Sequence, residues 1–546
     1  MKLSSNRSNQ LDDVRKMGRH DLNAAWPLLL VAAAVLIAGC ASLPSRPPEP
    51  ASTPHNTEAT LLGRASRPLE AGHPGLSGVY LLAQGMDAFT ARMALARAAE
   101  RTLDVQYYIW HADDSGKLLA NELLKAADRG VHVRLLIDDI GSNPSDVTLL
   151  GLDSHTNVEV RLFNPVANRT LRRLAILFDF GRVNRRMHNK SFTADGQATI
   201  IGGRNIGDEY FGMGTGVEFA DLDVVAIGPV VNATLTAFDL FWRSPASVPI
   251  ALLNRKKISA EKTAQQRVAL KKQCDMLEES AYFQAARDSG LMNQLREHSL
   301  GFSWGDARLV YDLPEKVTRP PEDTATHLTP QLRPVADAAE SEVLIVSPYF
   351  IPGGEGLKFL QALRKRGVRV VIITNSLGAT DVTAVHAGYR RYRKALLRAG
   401  VELYEFKATA SLKKASPDKK TGIGSGSGSS QASLHAKTFV FDRRRIFVGS
   451  LNLDPRSTAL NTEIGVVFEG PALAASAAED IERNARQGSY RLEFVPGPGP
   501  CKECGSINWV TEENGQTARY TREPAASFGR RLLVALLSLL PIESQL

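Results

Sequence analysis

Two stretches of this chain carry the same reactive residue types at the same spacing. The first contains His188, Lys190, Asp195, Gly202, Gly203 and Asn205, and the second contains His435, Lys437, Asp442, Gly449, Ser450 and Asn452. Imidazole can serve as nucleophile, acid or base near neutral pH. A lysine two residues away supplies a cation for an oxyanion. A single short match of this kind arises easily by chance; a second copy that repeats the downstream Gly and Asn does not. Displacement at a phosphodiester asks for two such imidazoles, because one group attacks phosphorus while an acid on the opposite side protonates the leaving alcohol. Lys190, Lys437 and the amides of Asn205 and Asn452 would then hold the non-bridging oxygens, and losing one such donor commonly costs roughly 3 to 4 kcal/mol.

The local pattern says how these groups must be presented. Alternation from Met187 to Phe192 predicts a strand with His188 and Lys190 on one face. Asp195-Gly196 is a hairpin-turn dipeptide, so Asp195, and by position Asp442, are expected to be structural. Gly202, Gly203, Gly449 and Ser450 lack bulk and are expected to let a phosphate approach the backbone. The sequence presents no compact Asp/Glu/His cluster, and no metal or other cofactor is expected.

The doubled pattern resembles the phospholipase D superfamily, in which two such repeats build one active site. More narrowly, Met187 to Phe192, Gly202 to Asp208, Asp454 to Ser457 and Asn461 to Glu463 resemble the bacterial cardiolipin synthases of the C type. The resemblance implies two tandem, pseudo-symmetric α/β domains with one site at their interface. It implies His188 as nucleophile, giving a phosphatidyl-histidine intermediate, and His435 as general acid and later base. It also implies a carboxylate behind each histidine: Glu463 in the second half, and Asp221 or Asp223 in the first.

The rest of the chain fits a duplicated α/β protein. At 546 residues it exceeds one ordinary core, and 43% hydrophobic with 23% charged residues describes a globular chain. Helix and strand patterns alternate over Ala88–Arg101, Leu103–Trp110, Lys117–Arg129 and Val131–Ile137, and again over Glu342–Phe350, Gly356–Arg366 and Val368–Thr374. The run ending at Asp138 aligns with the run ending at Asn375, an offset of 375 − 138 = 237, close to the motif offset of 435 − 188 = 247. The expected organisation is a lipoprotein-type signal segment (1–40), a Pro/Ser-rich tether (41–75), a first phospholipase D-like domain (76–250), a helical linker or insertion (251–330), a second such domain (331–500) and a C-terminal segment (501–546). Within these, 408–433 reads as a flexible basic loop. Cys501 and Cys504 read as a small disulfide loop, with no second ligand pair for zinc. Arg530 and Arg531 precede an apolar run, 532–540, suited either to a membrane interface or to docking on the body.

Partners follow from charge and from the N-terminus. The net charge of +8 suits an anionic partner, either acidic lipid or nucleic acid. Arg15, Lys16 and Arg19 precede an apolar run that ends at Cys40 and resembles a bacterial lipobox, implying export and lipidation of Cys40; an uncleaved inner-membrane tether is the alternative. Ala41 leans toward a periplasm-facing outer-membrane location. The preferred reading is a phosphatidyltransferase that makes cardiolipin from phosphatidylglycerol and a donor, either phosphatidylethanolamine or a second phosphatidylglycerol. Hydrolysis to phosphatidate is the runner-up. A nuclease is disfavoured by the two copies and the export signal, and no nucleic acid partner is expected.

Overall fold

A computed structural model of the chain describes residues 43–44, 56–142, 144–214, 218–253, 259–297, 299–408, 432–497, 504–513 and 515–546. The signal segment with Cys40, nearly all of the tether up to residue 55, the basic loop at 409–431 and Cys501 lie outside the described residues. Cys504 is disulfide-bonded.

Each half of the molecule is built on seven strands in one shared order. In the first half these are Val158–Phe163, His132–Asp138, Thr102–Tyr107, Ser191–Ala194, Ala198–Gly202, Asp223–Ile227 and Ser77–Leu82. In the second they are Glu402–Phe406, Arg369–Asn375, Glu342–Val346, Lys437–Phe441, Arg445–Gly449, Ile464–Glu469 and Ser303–Tyr311. The first three strands of each set run parallel and the rest alternate. Parallel strands covered on both faces need apolar side chains on both, and Val343 to Val346 are accordingly all buried. The two sets join edge to edge where Ser77 to Val79 pair antiparallel with Gly305 to Ser303.

Ser303–Tyr311 therefore belongs to the sheet of the second half, although it falls within the stretch read as a helical linker. Helices Ala260–Glu278, Ala281–Arg287 and Gly290–Arg296 lie in the part of that stretch ahead of the strand. They add Cys274, Phe283, Ala286 and Leu291 to the core of the first half. A second core joins Val79, Ile201 and Val224 of the first half to Leu344, Val448 and Val466 of the second, so burial of apolar area holds the halves together. Beyond the repeat, Ser506–Glu513 and Gln516–Tyr520 extend the sheet, and Phe528–Leu537 forms a terminal helix. Among the described residues no helix is long and apolar enough to cross a membrane.

The motif hairpins fold as their turn residues dictate. Asp195 and Gly196 take φ values of 51° and 61°, and Asp442 and Arg443 take 53° and 52°, the left-handed pair of a type I′ turn. Each Asp carboxylate then caps the start of a neighbouring parallel strand. Asp195 accepts from the backbone N–H of Glu100 (3.0 Å), Arg101 (2.7 Å) and Thr102 (2.9 Å). Asp442 does the same for Glu340, Ser341 and Glu342 and also accepts from the Ser341 hydroxyl (2.8 Å). Both aspartates of the motif thus sit in the turn and hold the start of a neighbouring strand. Asp195→Ala would leave buried N–H groups unsatisfied and is expected to destabilise the fold by about 2 to 4 kcal/mol. Chemical denaturation beside the wild type measures this.

Candidate active site

Each histidine sits just ahead of its hairpin, at the end of the sheet where the parallel strands finish. His188 and Lys190 precede the strand Ser191–Ala194, and His435 precedes Lys437–Phe441, so the hydrogen-bonded strands begin slightly later than the alternation predicted. The last residue of a parallel strand grips the residue before each histidine. Asp138 accepts from Met187 N–H (3.0 Å) and pairs with Arg186 (2.9 Å). Asn375 occupies the matching place, accepting from Leu434 N–H (3.0 Å) and donating to Leu434 O (2.9 Å). The aligned Asp138 and Asn375 are thus paired clasps, one on each side of the site.

The halves exchange partners at this point. His188 N–H donates to Thr462 O (2.8 Å) and Thr462 N–H to Arg186 O (2.9 Å), while His435 N–H donates to Ala220 O (2.8 Å). A short parallel pairing of Glu218–Ala220 with Ala432–Leu434 makes the same crossing. The residues that follow those carbonyls are the carboxylates. Nδ1 of His188 donates to Glu463 (2.8 Å), and Nδ1 of His435 donates to Asp221 (2.6 Å). A carboxylate beside Nδ1 favours the tautomer that carries its proton there and leaves Nε2 for chemistry; at His435 the Lys437 amine also lies 3.0 Å from Nδ1.

Several expectations are corrected by this geometry. Glu463 and Asp221 orient the histidines, but each serves the histidine of the other half. Asp223 serves neither: it pairs with the buried Arg92 (2.9 Å) and Arg204 (3.4 Å), both of which face it from the first-half core. Gly202 and Gly203 make room for carboxylates, not phosphate, since a Cβ on either would lie 2.1 Å from Asp223 or Asp221 respectively. A Cβ on Gly449 would lie 2.4 Å from Ile464 O, so that glycine serves strand packing. Ser450, at the position of Gly203, donates its hydroxyl to Glu463. Asn205 is fully buried; its amide donates to Tyr210 (2.9 Å) and accepts from Ile109 N–H (3.1 Å). Asn452 makes one long contact, to Ser457 (3.5 Å), and its Oδ1 is buried without a partner.

The lysines remain poised for an anion. Lys190 donates to His188 O (2.7 Å), Lys437 donates to His435 O, and neither makes a direct carboxylate pair. Burial pushes Lys190 down to about 7 and Lys437 to about 8. Burial, with both lysines and His435, holds His188 well below the ordinary imidazole range. Burial and Lys437 also lower His435, but Asp221 opposes them; His435 and the lysine in turn hold Asp221 well below the usual carboxylate range. Glu463 differs, since burial raises it to about 7. The two histidines thus face unlike partners, one near its titration point and one firmly anionic.

Aromatic rings line the walls. Tyr108 meets the His188 ring edge-on at 4.9 Å, whereas Tyr210 and Phe219 flank His435 at 5.1 and 5.0 Å. Tyr107 binds Arg92 in the core, Trp110 is buried, and His386 pairs with Glu523 away from the motif. The supporting residues Arg92, Arg186, Tyr210 and Asp312 carry no local signal. Asp312 acts through the backbone, accepting from Glu463 N–H (2.7 Å).

A compact His/Asp/Glu group also exists, contrary to expectation. His111, Asp113 and Glu209 bring ligand atoms within 4.8 Å of one another. They engage one another and the backbone: His111 Nδ1 lies 3.2 Å from Glu209, and Asp113 caps a helix through Gly116 N–H (3.1 Å). A cleft of about 1300 Å³ lies elsewhere on the first half, lined by residues such as Arg134, Asp239 and Trp242, and includes neither motif histidine.

Known proteins resemble this chain. The family model described as cardiolipin synthase, PLD-like domain, matches residues 93–224 and 332–485. Cardiolipin synthase C of Escherichia coli (strain K12) is 43% identical over 485 residues, 88% of this chain and 99% of that protein. An uncharacterised protein of Helicobacter pylori (strain ATCC 700392 / 26695) is 33% identical over 480 residues, 86% of this chain and 89% of its own. The crystal structure of phosphatidylserine synthase from Haemophilus influenzae Rd KW20 has the same fold, with a TM-score of 0.53 at 15% identity, covering 89% of this chain and 100% of that one.

For any phosphodiester turned over at this site, kcat/KM is expected to be bell-shaped. It should fall on the acid side near 7 as Glu463 takes a proton, and on the alkaline side from about 7 to 8 as Lys190 and Lys437 lose theirs. Glu463→Gln should move the acid limb to lower pH and leave the alkaline limb in place. A pH–rate profile of both proteins checks this.

Proposed function

The chain belongs to the cardiolipin synthase, PLD-like domain family, and from that membership we propose that it is a phosphatidyltransferase that makes cardiolipin. Nε2 of His188 attacks the phosphorus of a donor phospholipid and breaks the bond to the headgroup alcohol. His435, as the imidazolium, gives that alcohol its proton. The phosphatidyl group is then held on His188, and neutral His435 removes the proton from the glycerol hydroxyl of phosphatidylglycerol as that oxygen attacks phosphorus. Cardiolipin leaves, and both imidazoles return to their starting states. Lys190 and Lys437 hold the non-bridging oxygens and gain most where charge builds up in the transition state.

The observation that carries the assignment of roles is the unlike pairing of the histidines. A nucleophile must be neutral, and His188 is held well below the ordinary imidazole range opposite a carboxylate at about 7. The acid is assigned to His435 because Asp221, at 2.6 Å, opposes the lowering of that imidazole by burial and Lys437, and the balance moves toward the imidazolium as negative charge gathers on phosphorus. Phosphatidylethanolamine is the proposed donor, as the resemblance of the motifs to the C type implies, and phosphatidylglycerol the acceptor. The proposed setting is the bacterial cell envelope, with lipidated Cys40 anchoring the body to a membrane through the tether, on the periplasmic face of the outer membrane.

The test is mass spectrometry of products from vesicles of phosphatidylglycerol, with and without isotopically labelled phosphatidylethanolamine. Labelled cardiolipin with free ethanolamine is the expected product. Cardiolipin from phosphatidylglycerol alone would replace the donor, and phosphatidate alone would replace transfer by hydrolysis. His188→Ala and His435→Ala are each expected to reduce turnover by roughly 10³-fold or more, with vesicle attachment unchanged. Wild-type turnover from either variant would remove the two-histidine scheme.

A further inference from the structure

Two helical segments with exposed apolar faces stand at the same end of the molecule as the histidines. The first comprises the helices Arg172–Phe178 and Phe180–Val183, in the connection that leads from the parallel strand Val158–Phe163 into His188. It exposes Leu177 (69%), Phe178 and Phe180. The second is the terminal helix Phe528–Leu537 and the turn after it. It packs Val534 against Leu377 and Ala387, in the connection that follows the parallel strand ending at Asn375. Its outer side exposes Phe528, Leu536 and Leu539 (80%). The C-terminal helix is thus docked on the body by one face and leaves the other uncovered.

The two segments are tied into one surface beside the site. Asn184 Nδ2 donates to Gln545 (2.8 Å), and Arg456 donates both to Asn184 (2.8 Å) and to Gln545 O (3.1 Å). Asn184 is followed directly by the stretch that holds His188. The chain from Arg172 to Arg185 carries Arg172, Arg173, Arg182 and Arg185; Arg172 pairs with Asp139 (3.1 Å) and Arg182 with Asp179 (2.6 Å), and the stretch stays net positive. A second copy laid face to face on this surface would oppose arginine to arginine. An anionic bilayer surface, with acyl chains beneath a negative headgroup layer, matches both the apolar residues and the charge.

We propose that the helices at 172–183 and 528–537, with the turn to Leu540, form one basic apolar face that seats the mouth of the site on an anionic phospholipid surface. This rests on the cardiolipin synthase reading for its substrate but names a surface that the motif residues do not touch. The tether would hold the protein near a membrane in any orientation. The face sets the orientation, dipping Leu177, Phe180, Leu536 and Leu539 below the headgroups so that a donor phosphate can reach the lysines without leaving the bilayer.

The test uses the full chain with vesicles of phosphatidylglycerol, phosphatidylethanolamine and phosphatidylcholine, and separately with dihexanoylphosphatidylglycerol and dihexanoylphosphatidylethanolamine dissolved together below their micelle-forming concentrations. Hydrogen exchange is expected to slow at 172–183 and 528–540 when anionic vesicles are added. The variants Leu177→Glu/Phe180→Glu and Leu536→Glu/Leu539→Glu should each lose roughly tenfold or more of vesicle turnover while keeping turnover of the dissolved lipids. Unchanged exchange in both segments, or an unchanged ratio of vesicle to dissolved-lipid turnover in both variants, would overturn the proposal. A wild type that converts neither vesicle nor dissolved lipids would defeat the cardiolipin reading instead, and the exchange measurement would still decide the docking face.

Discussion

Everything at the centre of this molecule depends on two hydrogen bonds that cross between its halves, His188 to Glu463 and His435 to Asp221. An imidazole presents a usable Nε2 only when something fixes the proton on Nδ1, and in each half that something comes from the other. A half standing alone would have its histidine and lysine but no carboxylate to hold the ring. The apolar core shared by the two sheets therefore has a chemical consequence as well as a stabilising one. It brings Asp221 and Glu463 to the partner histidines and aligns the backbone carbonyls of Ala220 and Thr462 one residue ahead of them.

The crossing is symmetric in the backbone and asymmetric in chemistry. Gly203 gives way to Ser450, and Asp221 to Glu463, at matching places around the site. The longer glutamate accepts from the Ser450 hydroxyl, yet burial still raises it to about 7, whereas Asp221 is drawn well below the usual carboxylate range by His435 and Lys437. Two copies of one motif can supply two identical imidazoles. Unlike surroundings are what can set the proton affinities of the two rings apart. The aromatic neighbours differ in the same sense, with one tyrosine beside His188 and two rings around His435.

How much of this was legible in the sequence follows the range of the interactions. The paired His and Lys residues were legible because they repeat, and Asp195 because an Asp-Gly turn is decided by its own backbone. Asp221 and Asp223 could not be separated, since alternation along a strand puts both on one face. The choice between them is made by Arg92, far away in the chain, and by the close fit of Gly203 against Asp221. Asn205 looked like a phosphate ligand because the motif repeats it, but its amide is already engaged by Tyr210 and Ile109. Ser303–Tyr311 was lost among helices because its pairing strands, Ser77–Leu82 and Ile464–Glu469, lie far off in sequence on either side.

The two lysines show why such a site is costly without a ligand and tight with one. Each is buried, and neither has a carboxylate within a direct hydrogen bond, so desolvation is opposed by more distant charges, by a backbone carbonyl and, at Lys437, by the His435 Nδ1 at 3.0 Å. Their lowered pKa values express that unmet charge. A phosphodiester placed between them would supply the missing anion, restore both lysines to the ammonium form and draw on the desolvation already paid in folding. The same anion would act on the histidines through the shared field, favouring a proton on His435 as negative charge gathers on phosphorus. Substrate charge is thus the last component of a network whose other members are already fixed by the fold.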